Sequence, residues 1–447
     1  MAGLAWFYVL GATEHAQRVN TFKARGDQTS FLVIAKNLYA NWHGQNPPVL
    51  GDRNSMPLYP AYLALLYDSR LSDPEFFDVG KVWNIRLSLA LLALLSVIFS
   101  WHLPPLVSTN LTLIVAFGYF VFKAGYVQPE LLFYFLFFVT FLALCGLLRH
   151  RGSAASLFFG ILGGTLAALT HLTKATMLPL VVIFLAVYAI REVVQLGWHW
   201  QRHAASTRDA LTVFTWRAAA GALMVACFLG VLYPYITNSK RVFGRYFYNV
   251  NTTRYIWYDD WPTALSAASL YEDGKGWQGL PPEQSPGLRN YWRAHTVGQI
   301  VDRLAGGFQD IVSRSYQTFW YMKYVAMYVA FALVLIATNW RSFMRMIREH
   351  AAIAMFMLLY AAVYLPATAF YAPISDTGTT RLLLPHVAPL MFVLSCLFVR
   401  APFRQTQWSV ARVTVMPVHF HVFVLMTVAL DLTFTLWPRL MSTYGGF

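Results

Sequence analysis

The chain has 447 residues, of which 57% are hydrophobic and 12% are charged, and its mean hydropathy is +0.47. Soluble domains usually carry about 25% charged residues, so this composition excludes a soluble enzyme, a disordered protein and a fibrous protein. We therefore predict an all-α polytopic membrane protein. The formal net charge of +14 fits the arginine bias of cytoplasmic loops, because the sequence has no soluble basic domain to bind nucleic acid.

Apolar runs long enough to cross about 30 Å of hydrocarbon recur along the chain. The predicted spans are 82–101, 109–124, 130–148, 154–173, 176–192, 217–237, 322–340, 351–371, 382–400 and 411–431. A shorter run at 2–13 is interpreted as the end of a first helix, and counting it gives about eleven transmembrane helices. We expect the whole chain, 1–447, to form a single transmembrane domain.

The connecting segments predict the orientation of the spans, because short cytoplasmic loops are enriched in arginine. Arginines are concentrated in four loops, at 149–151, 191–217, 341–348 and 400–412. The short loops on the other side carry one cation each: Lys123, Lys174 and Arg381. This pattern predicts that the first set of loops is cytoplasmic and that the second set faces outward.

Two long segments, 14–81 and 238–321, fall on the predicted outer side. Both are too polar to cross a membrane and too long to be simple connections. The apolar stretches at 30–41 and 61–66 suit helices that lie in the membrane interface. We expect the second segment to cover a substrate.

Ionisable residues at the mouths of spans are costly and usually functional. In this sequence Asp27, Glu130, Lys174, Asp376 and Arg381 all fall at predicted outer ends and not at mid-depth. This placement predicts a site at the depth of the lipid headgroups on one side of the membrane. A proton-coupled transporter would more often place its acids near the midplane.

Several short motifs surround these residues. Asp27 precedes an amphipathic run that ends in Ala35-Lys-Asn-Leu38, so we expect it at a helix N-terminus, where a negative charge is stabilised; the alternative is an ordinary N-cap. The other motifs, in chain order, are Arg53-Asn-Ser-Met-Pro-Leu-Tyr-Pro60, Tyr126-Val-Gln-Pro-Glu130, Leu169-Thr-His-Leu-Thr-Lys-Ala-Thr176 and Thr380-Arg-Leu-Leu-Leu-Pro-His386.

This ordered set, which runs from about residue 20 to 390, resembles membrane glycosyltransferases of the C-type (GT-C) fold. The nearest kinds are relatives of the bacterial protein O-mannosyltransferases and of the lipid A aminoarabinose transferases. The sequence departs from that pattern at one position, since many relatives carry Asp-Glu where this chain has Asp27-Gln28.

The resemblance implies an inverting transfer of a sugar from a polyprenyl-phosphate donor to an acceptor hydroxyl on the outer face. That reaction needs a base for the hydroxyl proton and cations for the charge on the departing phosphate. By resemblance Asp27 is the catalytic base, and Lys174, Arg381 and Arg53 bind the donor phosphate. Two other interpretations stay open: Lys174 snorkels to the interface, and Arg381 forms a salt bridge with Asp376.

Further candidates support the acceptor or contact the sugar and the lipid. Glu130 is a second carboxylate, a metal ligand or an orienter of Lys174. The remaining supporting candidates are His171, His386 and Asp376. Tyr59 and, in the aromatic stretch 246–261, Tyr255, Trp257 and Tyr258 are candidate contacts for sugar or lipid, although aromatic residues collect at headgroup depth in any membrane protein.

The sequence requires no cofactor. A divalent metal is possible, but the sequence shows no cluster of ligands with the spacing that would support one. The expected partners are the polyprenyl-phosphate sugar, an acceptor that is a glycolipid, glycan or protein, and the bilayer. The expected location is a bacterial inner membrane with the site facing the periplasm. A lipid-linked sugar flippase or other transporter, a polysaccharide ligase or polymerase, and a structural membrane subunit are the competing hypotheses.

Overall fold

The computed structural model describes residues 2–21, 27–45, 56–150, 153–202, 207–270, 276–318, 322–375, 380–410 and 413–441. Within these ranges the chain is almost wholly helical, which confirms the predicted all-α class. The described strands, Trp408–Val410 (β1) and Val413–Val415 (β2), form a two-stranded antiparallel hairpin in which Trp408 pairs with Val415.

Nine helices precede the second long segment: α1 (Ala2–Val19), α2 (Asp27–Trp42), α3 (Leu58–Ala64), α4 (Asp73–His102), α5 (Pro105–Lys123), α6 (Glu130–Arg149), α7 (Ser153–Thr173), α8 (Leu178–Arg202) and α9 (Thr207–Phe243). The helices that follow are α10 (Val250–Thr253), α11 (Trp261–Leu270), α12 (Leu288–Ala294), α13 (Val297–Thr318), α14 (Met322–Thr338), α15 (Trp340–Glu349), α16 (Ala351–Tyr371), α17 (Thr380–Leu383), α18 (Val387–Val399), α19 (Ala401–Arg404), α20 (Pro417–Asp431) and α21 (Trp437–Met441).

The spanning helices α4 and α6 begin at residues that are typical of helix N-termini. At α4, the Ser72 backbone N–H and hydroxyl both donate to Glu75 Oε2, at 2.8 and 2.6 Å, and Pro74 lies in the first turn. Helix α6 starts directly after Pro129. Proline suits these positions because the first backbone N–H groups of a helix have no partner inside the helix.

Among the described residues, nine helices are long and apolar enough to cross a membrane, and the bent pair α14 and α15 makes a tenth if it is one span. These nine are Asp73–His102, Pro105–Lys123, Glu130–Arg149, Ser153–Thr173, Ala175–Gly197, Leu211–Phe243, Ala351–Ile374, Arg381–Val399 and Pro417–Met441. The chain is therefore a multi-pass integral membrane protein.

The expected number of about eleven spans is too high for the described residues. The difference lies in α1, which is 18 residues long but is not among the spans. Its second half contains Glu14, His15 and Arg18, and these polar side chains lower the hydropathy of any window that would reach across the bilayer.

The last span also differs from the prediction, which ended it at residue 431. Helix α20 continues through a π-helical turn at Leu432–Leu436 into α21, so Asp431 lies inside the span. The Tyr324 hydroxyl donates to the Asp431 carboxylate, and Lys323 forms an ion pair with it. The charge of Asp431 is therefore compensated by two partners at the start of α14.

The first long segment folds against the start of α4. The predicted interfacial stretches at 30–41 and 61–66 coincide largely with α2 and α3. A small hydrophobic cluster, separate from the main core among the spans, joins α2, α3 and α4 to the loop before α6 through Leu32, Tyr59, Phe76 and Val127.

Arg303 of α13 ties the second long segment to the end of α16. Its guanidinium donates to the backbone oxygens of Phe370 at 2.9 Å and Ile256 at 3.1 Å, and to the Tyr291 hydroxyl at 2.9 Å. The same group lies 4.0 Å from the centre of the Phe370 ring. The segment is thereby fastened to the end of the bundle that α16 reaches.

Gly307 lets α13 approach α16 closely, and this contact gives a first prediction. A Cβ added at Gly307 would lie 1.9 Å from the Ala369 backbone oxygen, whereas one added at Gly306 would meet nothing within 4 Å. We expect Gly307→Ala to destabilise the protein by about 1–3 kcal/mol, because backbone atoms must move apart. Thermal unfolding in detergent would measure the loss.

Gly306→Ala is the matched control for this contact. It should be neutral or stabilising by up to about 1 kcal/mol, since alanine favours helix over glycine. Equal unfolding temperatures for the two variants would show that the close contact is not a constraint on the fold.

Candidate functional site

Four charged residues that are far apart in sequence meet at one end of the helical bundle. Asp27 is the first residue of α2, and Glu130 is the first residue of α6. Lys174 is the extended residue between the spans of α7 and α8, and Arg381 lies on the short helix α17. We call these four residues the charge cluster.

Glu130 is the centre of the charge cluster. Its side chain is only 1% exposed, and its Oε1 atom lies 3.2 Å from Lys174 Nζ and 2.9 Å from Arg381 Nη2. Burial disfavours an isolated carboxylate strongly, so the two cations are what allow Glu130 to remain charged in this position.

Asp27 stands at the open side of the charge cluster. Its side chain is 56% exposed, and its Oδ2 atom accepts a hydrogen bond of 3.0 Å from Arg381 Nη2. The start of α2 favours a negative charge at this position. Arg381 therefore joins one buried and one accessible carboxylate through the same nitrogen.

Two opposed effects act on the pKa of Lys174. Burial lowers the pKa of the Lys174 ammonium from the ordinary lysine value, and the Glu130 carboxylate raises it. The Lys174 side chain bonds to Glu130, so the structure shows an ion pair in place of simple snorkelling.

A third basic side chain lies beside the charge cluster. Lys123, at the end of α5, is buried and lies within electrostatic reach of Glu130, Arg381 and Lys174. Its ammonium is 5.3 Å from the centre of the Tyr126 ring. It adds a third basic side chain to those of Lys174 and Arg381, so the site is suited to an anionic ligand.

A pair of buried amides holds Asp27 in place. The side chains of Asn20 and Gln28 hydrogen-bond reciprocally, at 2.7 and 2.9 Å. Asn20 also donates to the Gly125 backbone oxygen at 2.7 Å, and Gln28 Oε1 accepts from the Val127 backbone N–H at 2.8 Å. We call this arrangement the amide clamp. It joins the start of α2 to the loop that leads into Glu130.

The amide clamp accounts for a glutamine at position 28. Gln28 donates through Nε2 and accepts through Oε1 at the same time. A carboxylate at position 28 could only accept, so it would leave an Asn20 oxygen facing another acceptor. In this chain residue 28 therefore serves the fold of the site.

Asn84 of α4 fixes the same loop from the other side. Its amide donates to the backbone oxygens of Ala124 at 2.9 Å and Tyr126 at 2.7 Å. Its Oδ1 accepts from the Tyr59 hydroxyl at 3.2 Å. Tyr59, a predicted sugar or lipid contact, is thus fully buried and supports the loop.

Two hydrogen bonds from α16 position the turn that carries Arg381. The Tyr364 hydroxyl donates to the Leu382 backbone oxygen at 2.9 Å. The Tyr360 hydroxyl lies 2.8 Å from His386 Nε2, and His386 Nδ1 lies 3.3 Å from the Leu383 backbone oxygen. His386 is therefore a hydrogen-bonded residue that supports the turn behind Arg381.

Other predicted residues lie in aromatic surroundings. The His171 ring is buried, with its centre 5.8 Å from the Phe247 ring. Tyr255 is 3% exposed and packs between Trp261 and Trp277 inside the second long segment.

The half-buried rings of Trp257 and Tyr258 lie in the same second long segment. Trp257 packs against the rings of Tyr291 and Phe370, with its centre 6.0 and 5.9 Å from theirs. Arg53 and Asp376, two further predicted site residues, lie outside the described residues.

Sequence reasoning assigned no role in the site to Lys123, Asn20, Asn84 or Tyr371. Tyr371, at the end of α16, lies within electrostatic reach of Arg381, Asp27 and Tyr255, so it links the charge cluster to the second long segment. For Lys123 a signal existed in the sequence, because it is the single cation of its predicted outer loop, as Lys174 and Arg381 are of theirs. The amides carry no comparable sequence signal.

No family model matches the chain, and no curated protein matches it. Among the described residues, no group of three or more histidine, cysteine, aspartate or glutamate side chains is placed to hold a metal ion. The charge cluster combines an accessible carboxylate, Asp27, with cations that can bind an anion, Lys174 and Arg381.

The amide clamp gives a second prediction. Gln28→Ala should lower stability by about 1–3 kcal/mol, because the Val127 N–H and the Asn20 side chain lose buried hydrogen-bond partners. Thermal unfolding would measure this loss. Gln309→Ala is the control, since Gln309 is exposed on α13; equal unfolding temperatures for both variants would contradict the clamp.

Proposed function

We propose that the chain is an inverting glycosyltransferase of the GT-C type, which moves a sugar from a polyprenyl-phosphate donor to an acceptor hydroxyl at the membrane surface. One observation carries this proposal. The accessible Asp27 carboxylate touches Arg381, which together with Lys174 surrounds the buried Glu130 at one end of the spans.

The reaction assigns a task to each of these groups. The bond between the anomeric carbon and the phosphate oxygen breaks, and a bond from that carbon to the acceptor oxygen forms on the opposite face of the sugar. Asp27 receives the acceptor proton as general base. Lys174 and Arg381 stabilise the charge that develops on the departing phosphate, Arg381 by a planar guanidinium and Lys174 by a compact charge.

The hydrogen bond between Arg381 and Asp27 suggests how donor binding prepares the base. A phosphate is an anion that competes with a carboxylate for the same guanidinium. When the phosphate takes Arg381, the Asp27 carboxylate is released towards the acceptor hydroxyl. Glu130 stays buried and keeps both cations near their resting positions.

The second long segment fits the role of a cover in this proposal. Arg303 fastens it beside the site. Tyr371, half-buried at the end of α16, lies within electrostatic reach of Arg381 and would form a wall for a polar sugar. The acceptor would be a glycolipid, glycan or protein hydroxyl.

The arginine-rich loops support an orientation in which the site faces away from the cytoplasm. Because polyprenyl-phosphate sugars are carried in the membrane, a bacterial inner membrane with the site facing the periplasm completes the proposal. A transporter, a polysaccharide ligase or polymerase and a structural subunit are the alternatives that the experiments below distinguish.

Replacement of the proposed base is the direct test. We expect Asp27→Asn to lower sugar transfer by roughly 10²–10⁴-fold while the protein keeps its unfolding temperature, because Asp27 is largely exposed. Purified protein in nanodiscs would be given a panel of polyprenyl-phosphate sugars, and donor consumption and sugar transfer would both be followed.

Asp68→Asn is the matched control, because Asp68 is another exposed aspartate bonded to an arginine, Arg70, in the first long segment. It should retain full transfer. Equal donor consumption by wild type and Asp27→Asn would reject Asp27 as the base. Binding of lipid-linked sugars without consumption by wild type would favour the transporter or the ligase.

The proposed phosphate contact makes a separate prediction. Lys174→Met should raise the donor KM by about tenfold or more and affect the acceptor KM little, because it removes one charge-assisted contact to the phosphate, worth about 1.5–3 kcal/mol. Steady-state kinetics with each substrate varied in turn would separate the two constants. Lys240→Met, at an exposed lysine in the second long segment, should change neither, and an unchanged donor KM in Lys174→Met would contradict the assignment.

A further inference from the structure

Helix α15 lies across the end of the bundle opposite the charge cluster. It follows α14 after a bend of 102°. It directly precedes α16, whose far end accepts a hydrogen bond from Arg303 through the Phe370 backbone oxygen near the site. Helix α16 has 21 residues, which corresponds to about 30 Å of helix, so α15 sits one bilayer thickness away from the charge cluster.

The sequence of α15 is amphipathic over its whole length. At 100° per residue, its apolar side chains fall on one face: Trp340, Phe343, Met344, Met346 and Ile347. Phe343 and Met346 pack against the main hydrophobic core, whereas Trp340 is 57% exposed. A tryptophan at the end of a span is typical of headgroup depth.

The polar face of α15 is cationic. Arg341, Arg345 and Arg348 are all exposed and lie within about 60° of one another around the helix. Glu349 lies at the end of the helix, and its carboxylate bonds to Arg400 at 2.9 Å. The acid of α15 is therefore neutralised by a neighbour, and the three arginines keep their excess charge.

Two bonds join the ends of α15 to the residues on either side of α19 and extend this surface. Besides the pair formed by Glu349 and Arg400, the Asn339 amide donates to the Thr406 hydroxyl at 2.9 Å. Arg404 of α19 is exposed beside them. Burial lowers the pKa of His350, at the junction of α15 and α16, and the charges of Arg400 and Arg149 lower it further. The local potential is thus positive.

We propose that α15 and α19 form a binding surface for anionic phospholipid headgroups in the leaflet opposite the charge cluster. The apolar face with Trp340 sets the depth of α15 at the bilayer surface, and the arginine face reaches phosphate groups at that depth. Helix α15 bends away from a span, exposes a tryptophan and carries arginines along its polar face. These features suit binding to a lipid surface better than binding to a soluble anion. The proposal does not depend on the function assigned to the charge cluster.

The test compares two triple variants of the full chain. In the first, Arg341, Arg345 and Arg348 are each replaced by Gln. In the control, Arg245, Arg289 and Arg293, three exposed arginines of the second long segment, are each replaced by Gln. Native mass spectrometry from mixed micelles would measure the binding of phosphatidylglycerol and of phosphatidylcholine to each protein.

We expect the α15 variant to bind phosphatidylglycerol roughly 10- to 100-fold more weakly than wild type, because it lacks three of the charges that attract an anionic surface. The control variant and phosphatidylcholine binding should be unchanged. Unfolding temperatures in phosphatidylcholine alone would show that each variant is folded. The single variant Arg345→Gln should lose less affinity for phosphatidylglycerol than the triple variant.

Three outcomes would overturn the proposal. The α15 variant could retain wild-type affinity for phosphatidylglycerol, or the control variant could lose as much affinity as the α15 variant. The third outcome is complete displacement of phosphatidylglycerol by inorganic phosphate at equal concentration, which would make the surface a site for small anions.

Discussion

The burial of one carboxylate organises this end of the protein. Glu130 is enclosed at the start of α6, where a negative charge without partners would cost several kcal/mol. Lys174 and Arg381 meet at its Oε1 atom. Because the two cations come from different parts of the chain, the need to neutralise Glu130 draws the junction of α7 and α8 and the turn before α18 to the same point.

Neutral hydrogen bonds give that arrangement its precision. The amide clamp and Asn84 hold the loop between α5 and α6 from two sides, and their buried groups satisfy one another. Tyr364 and His386 do the same for the turn that carries Arg381. Supports of this kind fix the geometry of a site before a ligand arrives, and they reduce the ordering that binding would otherwise require.

Charged residues are arranged differently at the two ends of the bundle. At the charge cluster, cations and carboxylates contact one another and are partly buried, so their interactions are strong and local. At α15 and α19 the arginines are exposed, and their interactions are screened and spread over a surface. The first arrangement suits one oriented anionic ligand, and the second suits a sheet of headgroups.

Much of the architecture follows from composition and periodicity. The apolar runs located the spans to within a few residues in most cases, because a helix must present a continuous apolar stretch to cross hydrocarbon. The predicted spans differ from the structure where that signal is weak. Helix α1 becomes polar halfway along. The last span continues past Asp431, whose charge is compensated by Tyr324 and Lys323.

From its composition and pattern alone, the chain is a helical membrane protein, Asp27 begins a helix, and Lys123, Lys174 and Arg381 each stand alone in a predicted outer loop. Which of these charges touch one another depends on how the helices pack. Glu130 and Arg381 are separated by 251 positions, and periodicity gives the faces of a helix but not its neighbours. The amide clamp was hidden for the same reason, since the role of Gln28 depends on Asn20 and on a loop about 100 residues away, which meet only when α1, α2 and α5 pack.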